Sequence, residues 1–305
     1  MAPSAIVDTM GSASLPQDMN GVPTSPQFAS SSQVGLGVCT WQSSTPSGLA
    51  TFSLNILADG AADFAPFTRP AVADFVLDTI GDRSQFGCVE PTQDAINCYS
   101  SFTSDSYWIA AVYHTHGMGI PIETLSSQLT ATFQGVAATL SALGAPLPRW
   151  TPPAALSGPA TCGTLDPSGF AATAMSVTGS NVEVADLDTV GDDIPLLVYA
   201  NAQSGLAGCE WTSVNTESVI TFRASMTVLA GSLWAWESTD QSGWSPITVA
   251  GATEAFVHYT EQEAIIEILV NDSWVQGSTS LGAEEQHRLI TGLETMVPNL
   301  PIVRT

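Results

Sequence analysis

Gly35-Leu36-Gly37-Val38-Cys39-Thr40-Trp41 returns as Gly205-Leu206-Ala207-Gly208-Cys209-Glu210-Trp211, at an offset of 170 (205 minus 35). The register reads on without a gap into the next strand, where Leu49-Ala50-Thr51-Phe52 matches Val219-Ile220-Thr221-Phe222. A second match lies at an offset of 160 (255 minus 95), between Ala95-Ile96-Asn97-Cys98-Tyr99 and Ala255-Phe256-Val257-His258-Tyr259. Each copy runs into a β-rich stretch, Tyr107 to Tyr113 and Ala264 to Val270. Self-similarity at a long fixed period reads as a duplicated unit.

Both halves then close on a helical pattern. The first spans about Ile122 to Leu143, with Leu125, Leu129, Phe133, Val136 and Leu140 at helical spacing. The second spans about Ala283 to Met296, with Leu289, Ile290, Leu293 and Met296 on one side. Between the halves, Gly144 to Pro159 holds five prolines in sixteen residues and reads as a stiff linker. The expected division is a partly helical or flexible segment 1–34, a first repeat 35–146, a linker 147–160 and a second repeat 161–305. Asp166-Pro167 reads as the cap and first turn of a helix carrying Phe170, Met175 and Val177. Strands in succession with helices at the ends predict an α+β fold: two tandem repeats, each an antiparallel sheet packed with a long C-terminal helix.

The chain has 305 residues, 29 Asp plus Glu, six Arg and no Lys, for a net charge of −23. Without lysine there is no Schiff-base chemistry and no phosphate-loop lysine. Six scattered arginines cannot build a nucleic-acid surface, and anionic membranes are disfavoured for the same reason. With 44% hydrophobic residues the chain can bury a large core. No run approaches the length of a membrane span. The N-terminus lacks the basic and apolar regions of a signal peptide, so the sequence is expected to lack its export signal.

Five cysteines stand at 39, 88, 98, 162 and 209. Cys88 and Cys98 flank a turn-like stretch compatible with a local bridge, and Cys162 and Cys209 share one half and could staple it. In so acidic a chain this favours an oxidising, extracellular or cell-surface setting over buried thiols in a cytosolic protein. Residues 1–34 are Ser/Pro/Gly-rich and weakly helical, and at the repeat offset Cys162 maps before Met1. The partner of Cys39 is therefore expected to have been lost, shortened or clipped.

A Cys near a first helix followed by a Cys-x-Trp strand resembles exported actinobacterial lipoprotein domains of unknown function with a PsbP-like α/β sandwich. Cys162, Cys209 and Trp211 carry the likeness, and in the first half Cys39 and Trp41 match without the helix cysteine. The resemblance implies a PsbP-like sandwich in tandem, a Cys162–Cys209 bridge and attachment to the cell surface. It implies no catalytic residue.

His114 and His116 lie two apart, so on a strand both imidazoles share one face, although a metal site needs a third ligand. Trp234, Trp236 and Trp244 cluster with Glu237 and Asp240, which could offer a sugar-stacking platform beside paired carboxylates. Two tryptophans on one strand face are more commonly core packing. Asp186-Leu187-Asp188 with Gly191-Asp192-Asp193 is an acidic run without EF-hand spacing, which reads first as a solvated loop. No cofactor is expected; weak calcium or zinc binding at these places is the alternative. Gly-x-Ser-x-Gly does not occur, and Trp41 and Trp211 read as core.

The repeated residues are Gly, Cys, Trp and aliphatic rather than acid, base or nucleophile. The expectation is a non-enzymatic exported protein acting as a binding or interaction module toward an envelope protein or small ligand. The rival is a hydrolase, metal-dependent through His114 and His116 or carbohydrate-active through Glu237 and Asp240.

Overall fold

The computed structural model describes residues 15–18, 26–45, 48–67, 79–117, 119–146, 161–175, 181–186, 194–214, 220–229, 243–261, 263–271, 273–280 and 286–301. The chain is α+β and forms two compact units. Unit 1 comprises residues 1–21, 34–150 and 192–200; unit 2 comprises 22–33, 151–191 and 201–305.

Unit 1 holds an antiparallel sheet of β1 (Leu15–Asp18), β2 (Leu36–Thr45), β3 (Gly48–Leu57), β4 (Arg83–Thr92), β5 (Ala95–Ser104) and β6 (Tyr107–His116), in the order β1-β2-β3-β6-β5-β4. Period-two alternation gives the sheet two distinct faces. One carries Trp41, Phe52, Phe86, Phe102, Ile109 and Tyr113. It packs on helix α2 (Ile122–Leu143) through Leu125, Leu129, Phe133 and Leu140, as expected from the sequence, and through Ala137, whereas Val136 is only partly buried. Phe133 is its aromatic hub, with ring centroids 5.5 Å from Phe86, 5.7 Å from Phe102 and 6.2 Å from Phe52. Leu36, Leu57, Tyr99, Trp108 and Ala110 line the opposite face and are covered by Phe67, Leu196 and Ala200. Gln85 fixes the covering segment, accepting from Phe67 N at 2.5 Å and donating to Phe67 O at 3.2 Å.

Unit 2 includes helix α1 (Pro26–Gln33), the short helices α3 (Cys162–Leu165) and α4 (Phe170–Met175), and helix α6 (Gln286–Met296); helix α5 (Pro195–Ser204) begins within residues of unit 1. Its antiparallel sheet runs β10 (Trp244–Pro246), β11 (Glu254–Tyr259), β12 (Ala264–Val270), β13 (Ser273–Thr279), β9 (Ile220–Leu229), β8 (Leu206–Val214), β7 (Asn181–Asp186). Trp211, Met226, Val257, Ile266, Ile268 and Val275 pack on Leu289, Leu293 and Met296 of α6. Gly277 makes the close approach possible, because a Cβ there would lie 3.0 Å from Leu293. On the other face Ala29 of α1 joins Leu206, Leu229 and Trp274.

Edge strands aside, β2-β3-β6-β5-β4 and β8-β9-β13-β12-β11 follow the same neighbour order. Gly35 and Gly205 explain their own recurrence: both take positive φ (75° and 72°), where only glycine is unstrained, just before β2 and β8.

Strand pairing corrects two details of the sequence match. Trp41 opposes Phe52, but Trp211 opposes Ala224 rather than Phe222, so two extra residues separate the second pair of strands. A register irregularity at Ser213/Val214 accompanies the shift. The offset of 160 also pairs the wrong strands: β5 is a sheet neighbour of β6 as β12 is of β13, whereas Ala255–Tyr259 belongs to β11, which holds the place of β4. Asp166 ends α3 instead of starting a helix. Thr161 caps α3 through a reciprocal pair with Thr164, and α4 starts at Phe170. The final helix is described only from Gln286, half the length of α2.

Cys88 and Cys98 are cross-strand partners and form a disulfide, and Cys162 and Cys209 form a second. Cys39 is half-buried and not bridged. Among the described residues no helix is long and apolar enough to cross a membrane. The two disulfides are compatible with an extracellular protein.

Candidate functional site

Among the described residues, the most strongly shifted ionisable group is one that the motif reading passed over. Glu267 is the single acid in Ala264-Ile265-Ile266-Glu267-Ile268-Leu269-Val270, at the centre of β12. Ile266 and Ile268 face the α6 side, so Glu267 faces the opposite side of the sheet, yet it is only 1% exposed. Its register neighbours are Phe256 on β11 and Gln276 on β13. Trp274 Nε1 donates to one carboxyl oxygen, and Gln276 Nε2 donates to the other at 2.5 Å. Burial pushes the carboxyl up to about 8, and the two donated hydrogen bonds only partly oppose it. At neutral pH the group is therefore mostly protonated. A neutral buried acid can hold or release a proton, and such groups concentrate at functional sites. The readable signal was one acid in an otherwise aliphatic strand.

Away from Leu206, Leu229 and Trp274, the same face of unit 2 carries polar pairs. Ser225 and Ser278 are 2.8 Å apart, and Arg223 lies 3.7 Å from Glu210, which accepts from Thr212.

His114 and His116 share the exposed side of the end of β6, as their spacing implies. The strands beside them present Thr51 and Asn97 opposite His114, and Leu49 and Ala95 opposite His116. His114 Nδ1 is hydrogen-bonded to Asn97 Oδ1. Among the described residues no group of three His, Cys, Asp or Glu side chains is placed to hold a metal ion.

Of the tryptophan cluster, Trp244 lies on β10 beside its register partner His258, with ring centroids 5.3 Å apart. Trp234, Trp236, Glu237 and Asp240 lie outside the described residues. So do Asp188, Asp192 and Asp193 of the acidic run. Asp186 accepts from the backbone N–H of Cys162 at 2.5 Å, a fixing contact at the start of α3. Trp41 and Trp211 are both buried in their cores.

No family model and no curated protein matches the chain. A solved structure described as DynU16, from the dynemicin biosynthetic locus, is 9% identical over 94% of this chain and 96% of that chain. Its TM-score of 0.12 carries no argument about fold or function.

Proposed function

We propose that the chain is a non-enzymatic exported protein of the cell envelope, built from a duplicated PsbP-like α/β unit and acting as a binding or interaction module. One comparison carries the reading. At equivalent sheet positions the residues that recur are packing residues: Leu36 and Leu206, Cys39 and Cys209, Trp41 and Trp211, Leu57 and Leu229, Trp108 and Trp274. The acid–base candidates do not recur, since Glu267 takes the place of Ser101. A scaffold kept twice while its polar groups diverge suits recognition better than a shared catalytic step. The net charge of −23 argues for neutral or cationic ligands and against polyanions.

The test uses the full chain with both disulfides intact. It is screened for turnover of nitrophenyl esters, glycosides and phosphates with and without Zn²⁺, and in parallel for saturable thermal shifts with uncharged small molecules and with envelope extracts. Binding without turnover is expected. Turnover that disappears in His114→Ala would overturn the reading in favour of a metal-dependent hydrolase.

A further inference from the structure

At the repeat offset of 170 (205 minus 35) helix α1 corresponds to α5. Each ends just before a positive-φ glycine, Gly35 or Gly205, and β2 or β8 follows. The two helices cover equivalent sheet faces. In unit 1, Leu36, Leu57 and Trp108 share one register row, and Leu196 and Ala200 of α5 are fully buried against them. In unit 2, Leu206, Leu229 and Trp274 share the equivalent row. There α1 packs across β8, β9 and β13, with Ala29 against that row.

The two helices fit those faces differently. Tyr199 of α5 packs its ring on Trp108 with centroids 5.7 Å apart and donates its hydroxyl to Asp63 at 2.5 Å. At the same offset its counterpart in α1 is Ala29, and the counterparts of Leu196 and Ala200 are Pro26 and Ser30. The described side chains that α1 buries are Pro26, Ala29, Ser30 and Gln33, a stripe at helical spacing of which two members are polar. Burying a serine and a glutamine costs desolvation that aliphatic side chains avoid. Ser30 is tied to Asn201 Oδ1 at 3.2 Å. With eight residues, three of them successive serines and none charged, α1 holds its shape only through packing. Glu254 stands exposed at the far end of the receiving row, beyond Leu269, where a basic side chain suits the edge better than uncharged α1 does.

We propose that the sheet face of unit 2 at Leu206, Leu229 and Trp274 docks an amphipathic helix of a partner protein, which displaces α1. The partner helix has the pattern that α5 presents to unit 1: a large aliphatic residue, an aromatic three places on and a small residue at the fourth. Its outer side is basic, which matches Glu254 and the net charge of −23. In the absence of the partner, α1 occupies the face as a weakly fitted cover. This rests on the binding-module reading and names its surface and partner class.

The probe is a fluorescein-labelled peptide of residues 194–205 with Ala202→Lys and Gln203→Lys, both exposed positions of α5. It is titrated by anisotropy against the full chain with both disulfides intact. Saturable binding is expected. Ala29→Asp, which evicts α1, should tighten it about tenfold or more, the gain for a face open a tenth of the time or less. Leu206→Asp in the chain, or Leu196→Asp in the peptide, should abolish it. Hydrogen exchange on the unmodified chain covers the case of a variant that misfolds: saturating peptide should speed exchange of residues 26–33. A peptide that binds neither the parent nor Ala29→Asp overturns the proposal. So does binding that ignores Leu206→Asp or leaves exchange of residues 26–33 unchanged. If the peptide fails while a ligand from the wider screen binds, this face is refuted and the binding module stands. Peptide binding with α1 released, in a chain that also shows turnover, keeps the face and removes the non-enzymatic reading.

Discussion

Trp274 donates its indole N–H to Glu267 from the place where, in unit 1, Trp108 donates to Ser101 at 2.9 Å. Each tryptophan lies opposite a leucine, Leu229 or Leu57, which in turn opposes Leu206 or Leu36. The apolar frame is thus held while its polar acceptor differs. Ser101 completes its bonding by donating to Ala65 O at 3.2 Å. Glu267 instead receives Gln276, which stands where unit 1 has Ala110. A hydroxyl costs little to bury once bonded, whereas a carboxyl is forced toward its neutral form.

That difference makes the stability of unit 2 pH-dependent. Glu267 titrates at about 8 when folded, against 4.5 ordinarily. The folded state therefore binds the proton more tightly, and stability falls as pH rises from 4.5 to 8, by at most about 1.4 kcal/mol per unit. Below and above that window this group contributes no slope. Glu267→Gln stays neutral throughout. It should be about 1 kcal/mol less stable than the parent near pH 5, where its amide meets one of the two donors, and more stable above pH 8. Urea unfolding at pH 5, 7 and 9 checks this; a pH-independent difference between the two proteins contradicts it.

The disulfides should contribute unequally. Cys88–Cys98 closes a separation of 10 residues and Cys162–Cys209 one of 47. By chain entropy the longer loop is worth about 4 kcal/mol and the shorter about 3. Cys162→Ser/Cys209→Ser should therefore lower Tm more than Cys88→Ser/Cys98→Ser. Equal losses by calorimetry would show that loop entropy does not govern them.

Sheet content and the closing helix α2 were legible in the sequence because both depend on local period: the stripe Leu125, Leu129, Phe133, Leu140 is buried as spacing implies. The recurrence of Gly35 and Gly205 was legible for a local reason as well, a backbone that only glycine adopts without strain. Strand equivalence was not. Matching Ala95–Tyr99 to Ala255–Tyr259 follows residue similarity, while equivalence is decided by hydrogen-bond neighbours distant in sequence. Glu267 was passed over for a similar reason. Its significance comes from Trp274 and Gln276 on the next strand, and no motif spacing encodes that pairing.

The histidine pair gives a prediction about metal. With only Thr51, Asn97, Leu49 and Ala95 opposite them, His114 and His116 offer two ligands at an exposed strand end. Two imidazoles in water bind Zn²⁺ far more weakly than a three-residue site. Calorimetric titration should show no zinc affinity tighter than about micromolar, and His114→Ala/His116→Ala should leave Tm unchanged within about 1 °C. Tight stoichiometric zinc lost in that variant would reveal a ligand from outside the described residues.

Cutting the chain at the proline-rich linker should not yield two folded halves. Unit 2 includes residues 22–33, and Ala29 of α1 packs on Leu206, Leu229 and Trp274. Unit 1 includes residues 192–200, of which Leu196 and Ala200 are fully buried against its sheet. A fragment of residues 161–305 loses α1 and bares Trp274, and a fragment of residues 1–150 loses Leu196 and bares Trp108. Each bared face gives up a large aromatic side chain's burial, about 2–3 kcal/mol, a substantial part of the stability of a domain this size. Each fragment should bind a hydrophobic dye and unfold at lower urea than the whole chain. Adding a peptide of residues 22–34 to the 161–305 fragment should restore part of the loss, and Ala29→Asp in that peptide should abolish the rescue. A 161–305 fragment as stable as the parent would show that α1 contributes nothing to unit 2.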